Sequence, residues 1–386
     1  MDRKILFIQI GDFKEAFERF GSGEPETYRD QRASVEYVTG LSKEADVTVI
    51  GQSDVDYTSG LAPNLTAMGA DIRRAGTQSF STLFDLIEPT HIVLRIPLIS
   101  ALKVAASRKT SILPNYADLF RKGGVRNRLQ NWQHARILTK IHAPCLSNHS
   151  LNASKTLNTV LGVPEQKIVP WDWSKVPVRS TPKNGVNDKS LVRLFYAGSM
   201  IESKGIGDLL AAIAILRERG QSSAIAFAGS GDLEHWKARA RELGIEDHVE
   251  FKGRISNEEV RSHMASHDIV IVPSRHSYPE GLPNTIYEGL ASRTPLIISD
   301  HPAFVGRLED RKECLFFKAG DPSDLAKSID RLVQDSGLYS RISAASEHAH
   351  DNLYIGLGWS ELITNFVTDE TNQTRWVEKY CLSNYL

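Results

Sequence analysis

Residues 269–291 read IVIVPSRHSYPEGLPNTIYEGLA and decide the fold of this chain. The apolar run Ile269–Val272, closed by Pro273, predicts a buried parallel strand. A polar loop follows, and the segment Pro283–Ser292 predicts a helix that opens with Pro at its first position. A strand, a polar loop and a helix in this order indicate a parallel α/β architecture.

Two carboxylates frame the loop and the start of this helix. Glu280 precedes the Gly-Leu-Pro turn, and Glu288 lies one turn inside the helix. A helix N-terminus presents free N–H groups and a partial positive charge, which suits a phosphate. Two carboxylates at this position would repel a phosphate unless they faced hydroxyl groups. The stretch therefore predicts a site for a nucleotide sugar, because that ligand carries both phosphates and hydroxyls.

The rest of the chain alternates strand patterns with helical patterns, and this alternation predicts two Rossmann-like domains. The predicted strands are Ile5–Ile10, Val47–Ile50, Ile92–Ile96, Ser111–Leu113, Cys145–Ser147, Val192–Ala197, Ala224–Ala228, Val249–Phe251, Ile269–Val272 and Leu296–Ile298. The predicted helices of the second half include Leu233–Leu243, Asn257–Ser266 and Pro322–Gln334. We expect parallel sheets that face an interdomain cleft, with ligands beyond the carboxyl ends of the strands.

The domain boundaries follow from a stretch rich in Pro, Lys, Ser and Asn. The predicted organisation is a first domain over residues 1–170, a linker over 171–190 and a second domain over 191–358. The long segment from Gly11 to Glu24 is predicted to be a loop after the first strand.

Composition restricts the class of protein. The 386 residues carry 46 Lys and Arg against 47 Asp and Glu, which is typical of a globular protein and gives no reason to expect a nucleic-acid partner. The three cysteines are scattered, so the sequence predicts neither a disulfide framework nor a metal site and favours a reducing cytoplasm. The apolar run at Met1–Ile10 reads as a strand and not as a signal peptide.

A basic segment at residues 103–140 has two interpretations. Asp118 is its single acidic residue. The segment is either a solvated surface or a patch that contacts anionic lipid headgroups or an anionic acceptor. Its nine basic residues are Lys103, Arg108, Lys109, Arg121, Lys122, Arg126, Arg128, Arg136 and Lys140.

The motifs from Leu194 to Leu332 resemble those of the retaining glycosyltransferases of family 4, a group with the GT-B fold that includes glycogen synthases and mannosyltransferases. The motifs that carry the resemblance are Tyr196-Ala197-Gly198-Ser199, Lys204-Gly205, Ala228-Gly229-Ser230-Gly231, Phe251-Lys252-Gly253-Arg254, Pro273-Ser274 and the Glu280/Glu288 pair. The resemblance implies that residues 1–170 hold the acceptor and that residues 359–386 form a C-terminal helix returning to the first domain.

The resemblance also implies roles for individual residues. Lys204 would bind the donor phosphates, and Glu280 would contact the donor sugar and steady charge at its anomeric carbon. Glu288 would accept hydrogen bonds from the ribose hydroxyls. The other implied donor contacts are Gly11, Ser199, Arg254, Ile255, Gly281, Leu282, Pro283 and Asn284. The competing interpretation makes Lys204 and Glu280 solvated loop residues and Glu288 a helix-surface acid.

Two positions depart from the family pattern. Ser199 stands where relatives carry an Arg that binds phosphate, so this chain either binds its donor more weakly, moves the cation elsewhere, or has lost activity. Asn115 stands near the position of a His that many relatives place beside the reacting carbon, and Asn115 and Asp118 are the candidates for the acceptor side. Asp54-Val55-Asp56 imitates a metal motif of another fold, but we expect a surface segment there.

The resulting hypothesis is a retaining hexosyltransferase that uses a nucleotide diphosphate sugar, with neither a prosthetic group nor a metal. Its acceptor would be a hydroxyl of a glycan, a lipid-linked saccharide or a lipopolysaccharide-type molecule. By analogy with relatives, the protein would be cytoplasmic and peripheral on the inner face of the cytoplasmic membrane, held through residues 103–140. Three alternatives stay open: a retaining phosphorylase, a nucleotide-sugar epimerase and a non-catalytic nucleotide-sugar-binding protein.

Overall fold

The computed structural model describes residues 3–369 and 375–386 and divides the chain into two compact units. Unit 1 comprises Met1–Ser174 and Ile355–Leu386, and unit 2 comprises Lys175–Tyr354. Residues 175–190, predicted as part of a linker, therefore belong to unit 2. They are bonded to it, since the Arg179 N–H donates to the carbonyl of Ala291 and the Lys183 N–H to the Ser343 hydroxyl.

Unit 1 is built on a sheet of eight strands in the order β3-β4-β2-β1-β5-β6-β7-β8. All neighbours are parallel except β3 and β4, which form an antiparallel hairpin that the sequence analysis missed. The strands are β1 Lys4–Gln9, β2 Asp46–Gln52, β3 Tyr57–Ala62, β4 Leu65–Ala70, β5 His91–Leu94, β6 Ser111–Tyr116, β7 Leu146–His149 and β8 Ile168–Trp171.

Helices connect these strands, and the first of them corrects a prediction. The expected loop from Gly11 to Glu24 is mostly helix, because the Asp12 carboxylate caps its N-terminus by accepting the N–H of Glu15. The helices are α1 Phe13–Gly21, α2 Gln31–Leu41, α3 Thr77–Ile87, α4 Ile99–Arg108, α5 Val125–Leu138 and α6 Leu151–Thr159.

Unit 2 has a wholly parallel sheet of six strands in the order β11-β10-β9-β12-β13-β14. Its strands are β9 Val192–Ala197, β10 Ser223–Ala228, β11 Val249–Gly253, β12 Ile269–Val272, β13 Leu296–Ser299 and β14 Leu315–Phe317. Its helices are α7 Ile206–Glu218, α8 Leu233–Glu242, α9 Asn257–Ser266, α10 Asn284–Ala291, α11 Pro322–Gln334 and α12 Ser336–Leu353. The predicted α/β fold with two Rossmann-like units is confirmed.

The chain ends in unit 1 with α13 Trp359–Thr368 and α14 Arg375–Tyr380. Part of the predicted C-terminal helix, residues 370–374, lies outside the described residues. Across residues 3–369 and 375–386, no helix combines the length and apolar character that a membrane span requires.

Each sheet has one point at which the strand order reverses. In unit 1 it lies between β1 and β5, and in unit 2 it lies between β9 and β12. Two connections leave in opposite directions there, which opens a crevice at the carboxyl ends of the strands where such sheets bind ligands. The chemistry of the residues at these two points therefore decides what each unit can bind.

Candidate functional site

The reversal point of unit 2 brings the turn after β9 against the loop after β12. The Glu202–Lys204 turn ends at Gly205, which has a φ of 79°. A Cβ at Gly205 would lie 2.2 Å from the carbonyl oxygen of Pro273, so this position requires glycine on two grounds. The close backbone approach places the ammonium of Lys204 beside the side chains that follow β12.

Glu280 pairs with Lys204 in this site. Its Oε2 accepts hydrogen bonds from Lys204 Nζ at 2.5 Å and from the Ser274 hydroxyl at 2.7 Å. The Lys204 and Glu280 side chains are 12% and 8% exposed, so the ion pair is largely withdrawn from water. The Tyr278 ring lies 4.2 Å from Lys204 Nζ and adds a cation–π contact. The interpretation of Glu280 as a solvated loop acid is therefore wrong.

Arg275 braces the turn that carries Lys204. Its Nε and Nη2 donate to the two oxygens of Asp208 at 2.7 and 2.6 Å, and its Nη1 lies 2.6 Å from Glu202. Its N–H also donates to the carbonyl of Ser203. The hydrogen bonds to Asp208 raise the pKa of Arg275. Because two carboxylates neutralise this guanidinium, Arg275 holds the turn in place and is a poor candidate for a phosphate ligand.

Glu288 is buried, and a second loop orients it. Its Oε1 accepts a hydrogen bond of 2.6 Å from Asn257 Nδ2, and the two residues are each 3% exposed. Asn257 opens α9, whose N-terminus is fixed by a capping box between Ser256 and Glu259. The interpretation of Glu288 as a helix-surface acid is therefore wrong, since the carboxylate points into unit 2.

The start of α10 differs by one residue from the prediction. Pro283 is the N-cap residue and Asn284 the first helical residue. Leu282 is 2% exposed and anchors the loop, whereas Gly281, Pro283 and Asn284 keep accessible surface. The Thr285 hydroxyl donates to the carbonyl of Ala197 at 3.0 Å, so the helix N-terminus is tied to the end of β9.

Glycines line the adjacent strand ends. A Cβ at Gly229 would lie 1.8 Å from the carbonyl oxygen of Gly198, so the loops after β9 and β10 meet backbone to backbone. Ser199 and Arg254 are exposed and Ile255 is half-buried. Burial, followed by the negative charge of Glu280, raises the pKa of Tyr196 well above 10.0, and the protonated phenol donates to the carbonyl of Ser199.

In unit 1, the sequence-predicted residues have different surroundings. Gly11 is exposed, and its carbonyl accepts a hydrogen bond from Gln9 Nε2 at 3.1 Å. Asn115 is 1% exposed; its Nδ2 donates to Ser147 at 2.9 Å, and its Oδ1 accepts from the Trp359 indole at 2.9 Å. Asn115 therefore holds neighbouring elements together and does not reach the surface. Asp118 is half-buried.

The Asp54-Val55-Asp56 segment is exposed, as the sequence predicts. Within residues 3–369 and 375–386, no group of three or more His, Cys, Asp or Glu side chains could hold a metal ion.

Sequence reasoning missed Asn257, Arg275 and Tyr278. Each reaches its partner across the fold, with Asn257 and Glu288 separated by 31 residues. A weak signal did exist for Arg275, because it directly follows the quoted Pro273-Ser274 motif.

Comparisons with solved structures identify the fold. Sucrose-phosphate synthase from Thermosynechococcus elongatus superposes with a TM-score of 0.67 at 15% identity, over 94% of this chain and 97% of that chain. HepE from Anabaena, solved in complex with UDP-glucose, gives a TM-score of 0.63 at 14% identity, over 95% and 98% of the two chains. These likenesses show that the chain has the GT-B fold.

A family model matches the second unit. Residues 179–349 match the family model "Glycosyl transferases group 1". Mannosylfructose-phosphate synthase from Agrobacterium fabrum is 24% identical over 197 residues, which is 47% of this chain and 43% of the relative. The chain spans about half the length of the curated relatives it matches, from 42 to 57% for the first three.

Proposed function

We propose that the chain is a retaining glycosyltransferase that moves a hexosyl group from a nucleotide diphosphate sugar to a hydroxyl of a saccharide or lipid-linked acceptor. The observation that carries the proposal is the Lys204–Glu280 pair, withdrawn from water at the reversal point of unit 2. A cation and a carboxylate beside a helix N-terminus suit a ligand that combines phosphates with hydroxyls.

Lys204 would bind the diphosphate of the donor. An ammonium has three N–H donors, and Glu280 takes one of them. The remaining donors are available to phosphate oxygens, together with the N–H groups at the start of α10. These donors would bind the diphosphate and stabilise it as a leaving group, and the proposal includes no metal or prosthetic group.

Glu280 and Glu288 would bind the two sugars of the donor. The Glu280 carboxylate would accept hydrogen bonds from hexose hydroxyls and stabilise positive charge at the anomeric carbon. Glu288, oriented by Asn257, would accept from the ribose hydroxyls. Arg254 and Ile255 follow β11 directly and would hold the base through their backbone.

The reaction would keep the configuration of the anomeric carbon. The bond from that carbon to the diphosphate breaks, and a bond to the acceptor oxygen forms on the same face. The acceptor proton passes to the departing phosphate oxygen, so the products are the glycosylated acceptor and a nucleoside diphosphate. The contribution of the protein is positioning and charge stabilisation.

A donor screen tests this proposal. The intact chain is mixed with UDP, GDP, ADP and their hexose conjugates, and its melting temperature is measured; a bound donor raises it by mass action. UDP-sugars come first, because HepE was solved with UDP-glucose. Transfer is then followed as nucleoside diphosphate release with mixed glycan acceptors, and the anomeric configuration of the product is read by NMR. An inverted product would refute the retaining mechanism.

The alternatives give different outcomes in the same assay. Turnover that requires inorganic phosphate and no nucleotide would identify a phosphorylase. An altered hexose without any acceptor would identify an epimerase. Nucleotide binding without release or transfer would identify a binding protein. No thermal shift with any nucleotide would refute the donor site itself.

The proposal includes binding of the protein to an anionic membrane surface. On α5, Val125, Leu129 and Trp132 lie at positions i, i+4 and i+7 and are 84%, 55% and 55% exposed. Arg126 and Arg128 are exposed on the same helix. An apolar stripe beside basic side chains suits the headgroup region of an anionic bilayer.

Vesicle sedimentation at low salt tests this part. We expect the protein to pellet with vesicles that contain anionic lipid and not with neutral ones, and Trp132→Ala with Leu129→Gln to reduce pelleting. Leu86→Gln, which replaces an apolar residue on α3 that is 73% exposed, is the matched control. Equal pelleting with neutral vesicles, or no pelleting at all, would contradict the membrane assignment.

A further inference from the structure

Arg95 occupies the reversal point of the unit 1 sheet. It follows β5 directly, and its backbone N–H donates to the carbonyl of Ile8 on the neighbouring β1 at 2.9 Å. This is the crevice at which sheets of this type bind ligands. Arg95 thus has the same topological position in unit 1 that the Lys204 site has in unit 2.

The surroundings of the Arg95 guanidinium are aromatic and uncharged. Its Nη1 donates to Gln9 Oε1 at 3.0 Å. Its Cζ lies 4.9 Å from the centre of the Trp359 ring and 5.7 Å from that of the Trp173 ring. Among residues 3–369 and 375–386, no carboxylate forms an ion pair with Arg95.

A guanidinium in such surroundings has unused binding capacity. Desolvation lowers the pKa of Arg95, and the nearby Tyr28 opposes this change. Arg still stays protonated, because its ordinary pKa is above about 12. The two indole rings offset part of the desolvation cost through cation–π contacts. Five N–H donors in one plane match the oxygens of a phosphate or a carboxylate, and Gln9 uses one of them.

Neighbouring residues hold the surroundings of Arg95 in place. Gln9 Nε2 donates to the carbonyl of Gly11, so the amide that receives Arg95 is itself fixed. The Trp359 indole donates to Asn115, which orients the ring beneath the guanidinium. Trp359 is 3% exposed, whereas Arg95 keeps accessible surface. The guanidinium is thus positioned by the ring below it, and the Arg95 residue is part-buried.

We propose that Arg95, Gln9 and the rings of Trp173 and Trp359 form an oxyanion site, and that it binds a phosphate or carboxylate group on the acceptor sugar. The part that concerns the acceptor rests on the proposed transferase function. The oxyanion site itself does not, because it lies wholly within unit 1. Asn115 is then a positioning residue that acts through Trp359.

Calorimetry on the intact chain with matched sugars tests the site. Glucose 6-phosphate and glucuronate supply the two oxyanions, and glucose supplies the same ring without charge. We expect both charged sugars to bind at least about tenfold more tightly than glucose, and added salt to weaken them. The more tightly bound of the two identifies the preferred oxyanion.

Two substitutions and a control locate the binding. Arg95→Ala is expected to weaken the charged sugars by about tenfold or more, and Arg95→Lys by less, because an ammonium lacks the planar fork. Arg74→Ala removes a guanidinium that is 90% exposed and should leave the affinities unchanged. Melting temperatures of the unliganded variants report any loss of packing separately from the shift that each sugar produces.

The outcomes separate this inference from the proposed function. Equal binding of charged sugars by Arg95→Ala and the wild type, or no binding of either charged sugar, would overturn the oxyanion site. Charged-sugar binding that depends on Arg95, in a chain that binds no nucleotide, would leave the site standing and refute the donor proposal. Both results are read by comparing the wild type with the Arg95→Ala variant.

Discussion

The two sheets place a cation at the same topological position and surround it differently. In unit 2 the ammonium of Lys204 lies 2.5 Å from the carboxylate of Glu280. In unit 1 the guanidinium of Arg95 packs against two neighbouring indole rings and bonds to the neutral amide of Gln9. A balanced pair suits a ligand with phosphates and hydroxyls, whereas an unbalanced cation suits a ligand that is simply anionic.

The two sites also differ in how their cations are stabilised. A buried cation and carboxylate stabilise each other, and loss of either leaves an uncompensated charge. An arginine that packs against aromatic rings is stabilised without a counter-charge. Its guanidinium is therefore held in position before a ligand binds. Substitutions that remove the counter-charge of Lys204, or add one beside Arg95, test whether charge balance determines which ligand each site binds.

The largest effect is expected from Glu280→Gln, which gives the unit 2 cation a neutral partner like that of Arg95. Transfer should fall by about 100-fold to 1,000-fold, because the carboxylate no longer stabilises charge at the anomeric carbon. Nucleotide affinity should stay within about threefold, since the amide oxygen can still accept from Lys204. Product formation and nucleotide calorimetry measure the two quantities. Glu218→Gln, at an exposed position, is the control.

Glu288→Ala should weaken nucleotide affinity more than it slows turnover, which is the opposite of the pattern expected for Glu280→Gln. Removal of the carboxylate that Asn257 orients is expected to weaken nucleotide binding by about tenfold to 100-fold, because a charge-assisted hydrogen bond to ribose is lost. Turnover at saturating donor should change less than affinity. If Glu280→Gln weakened nucleotide binding and Glu288→Ala mainly slowed turnover, the assigned roles would be reversed.

Gln9→Glu should give the Arg95 guanidinium a carboxylate partner, as Lys204 has in unit 2. We expect about tenfold weaker binding of glucose 6-phosphate, and an unfolding free energy at pH 7 that is higher by about 1 kcal/mol. The new carboxyl pKa would be below its unfolded value of about 4.3, so the gain is present above about pH 5 and lost as the pH falls through the folded pKa. Denaturant titrations at pH 7 and pH 4 measure it.

Gln166→Glu provides the same charge change at an exposed position and should show neither effect of Gln9→Glu. Unchanged sugar affinity in Gln9→Glu would contradict the role given to the uncharged surroundings of Arg95.

The smallest effect is expected from Asn115→Ala. Loss of the bonds to Trp359 and Ser147 should weaken glucose 6-phosphate by about threefold and destabilise the protein by about 1–3 kcal/mol, since two buried groups lose partners. Transfer with saturating substrates should be retained. A loss of turnover comparable to that of Glu280→Gln would instead place Asn115 in the chemistry.

The sequence predicted the fold well where strands are buried on both faces. The bounds of β9 and β12 coincide with the predicted strands, because continuous apolar runs ended by turn residues are a strong signal. The β3–β4 hairpin was missed, since Gly, Ser, Thr and Ala dominate it and its outer strand lies at the edge of the sheet. β14 has three residues and is too short to show a period.

The candidate site was accessible to sequence reasoning only where its residues are close along the chain. Glu280 and Glu288 are eight positions apart on one strand-loop-helix unit, so their common location followed from the pattern. Arg95 lies inside the predicted strand Ile92–Ile96 and gave no signal of a site, because Trp173 and Trp359 come from distant segments that only the folded unit brings together. The donor roles of the unit 2 residues stay predictions until ligand binding is measured.

The discontinuity of unit 1 has a consequence for biosynthesis. Unit 2 is a continuous segment, Lys175–Tyr354, and can fold once this segment has emerged from the ribosome. Unit 1 needs Ile355–Leu386, which supplies the buried Leu362, Ile363 and Phe366 to its core and Trp359 as a partner for Asn115, 244 residues upstream. Unit 1 is therefore completed only after unit 2 has been translated, and its β-strands keep part of their apolar surface uncovered until residues 355–386 follow.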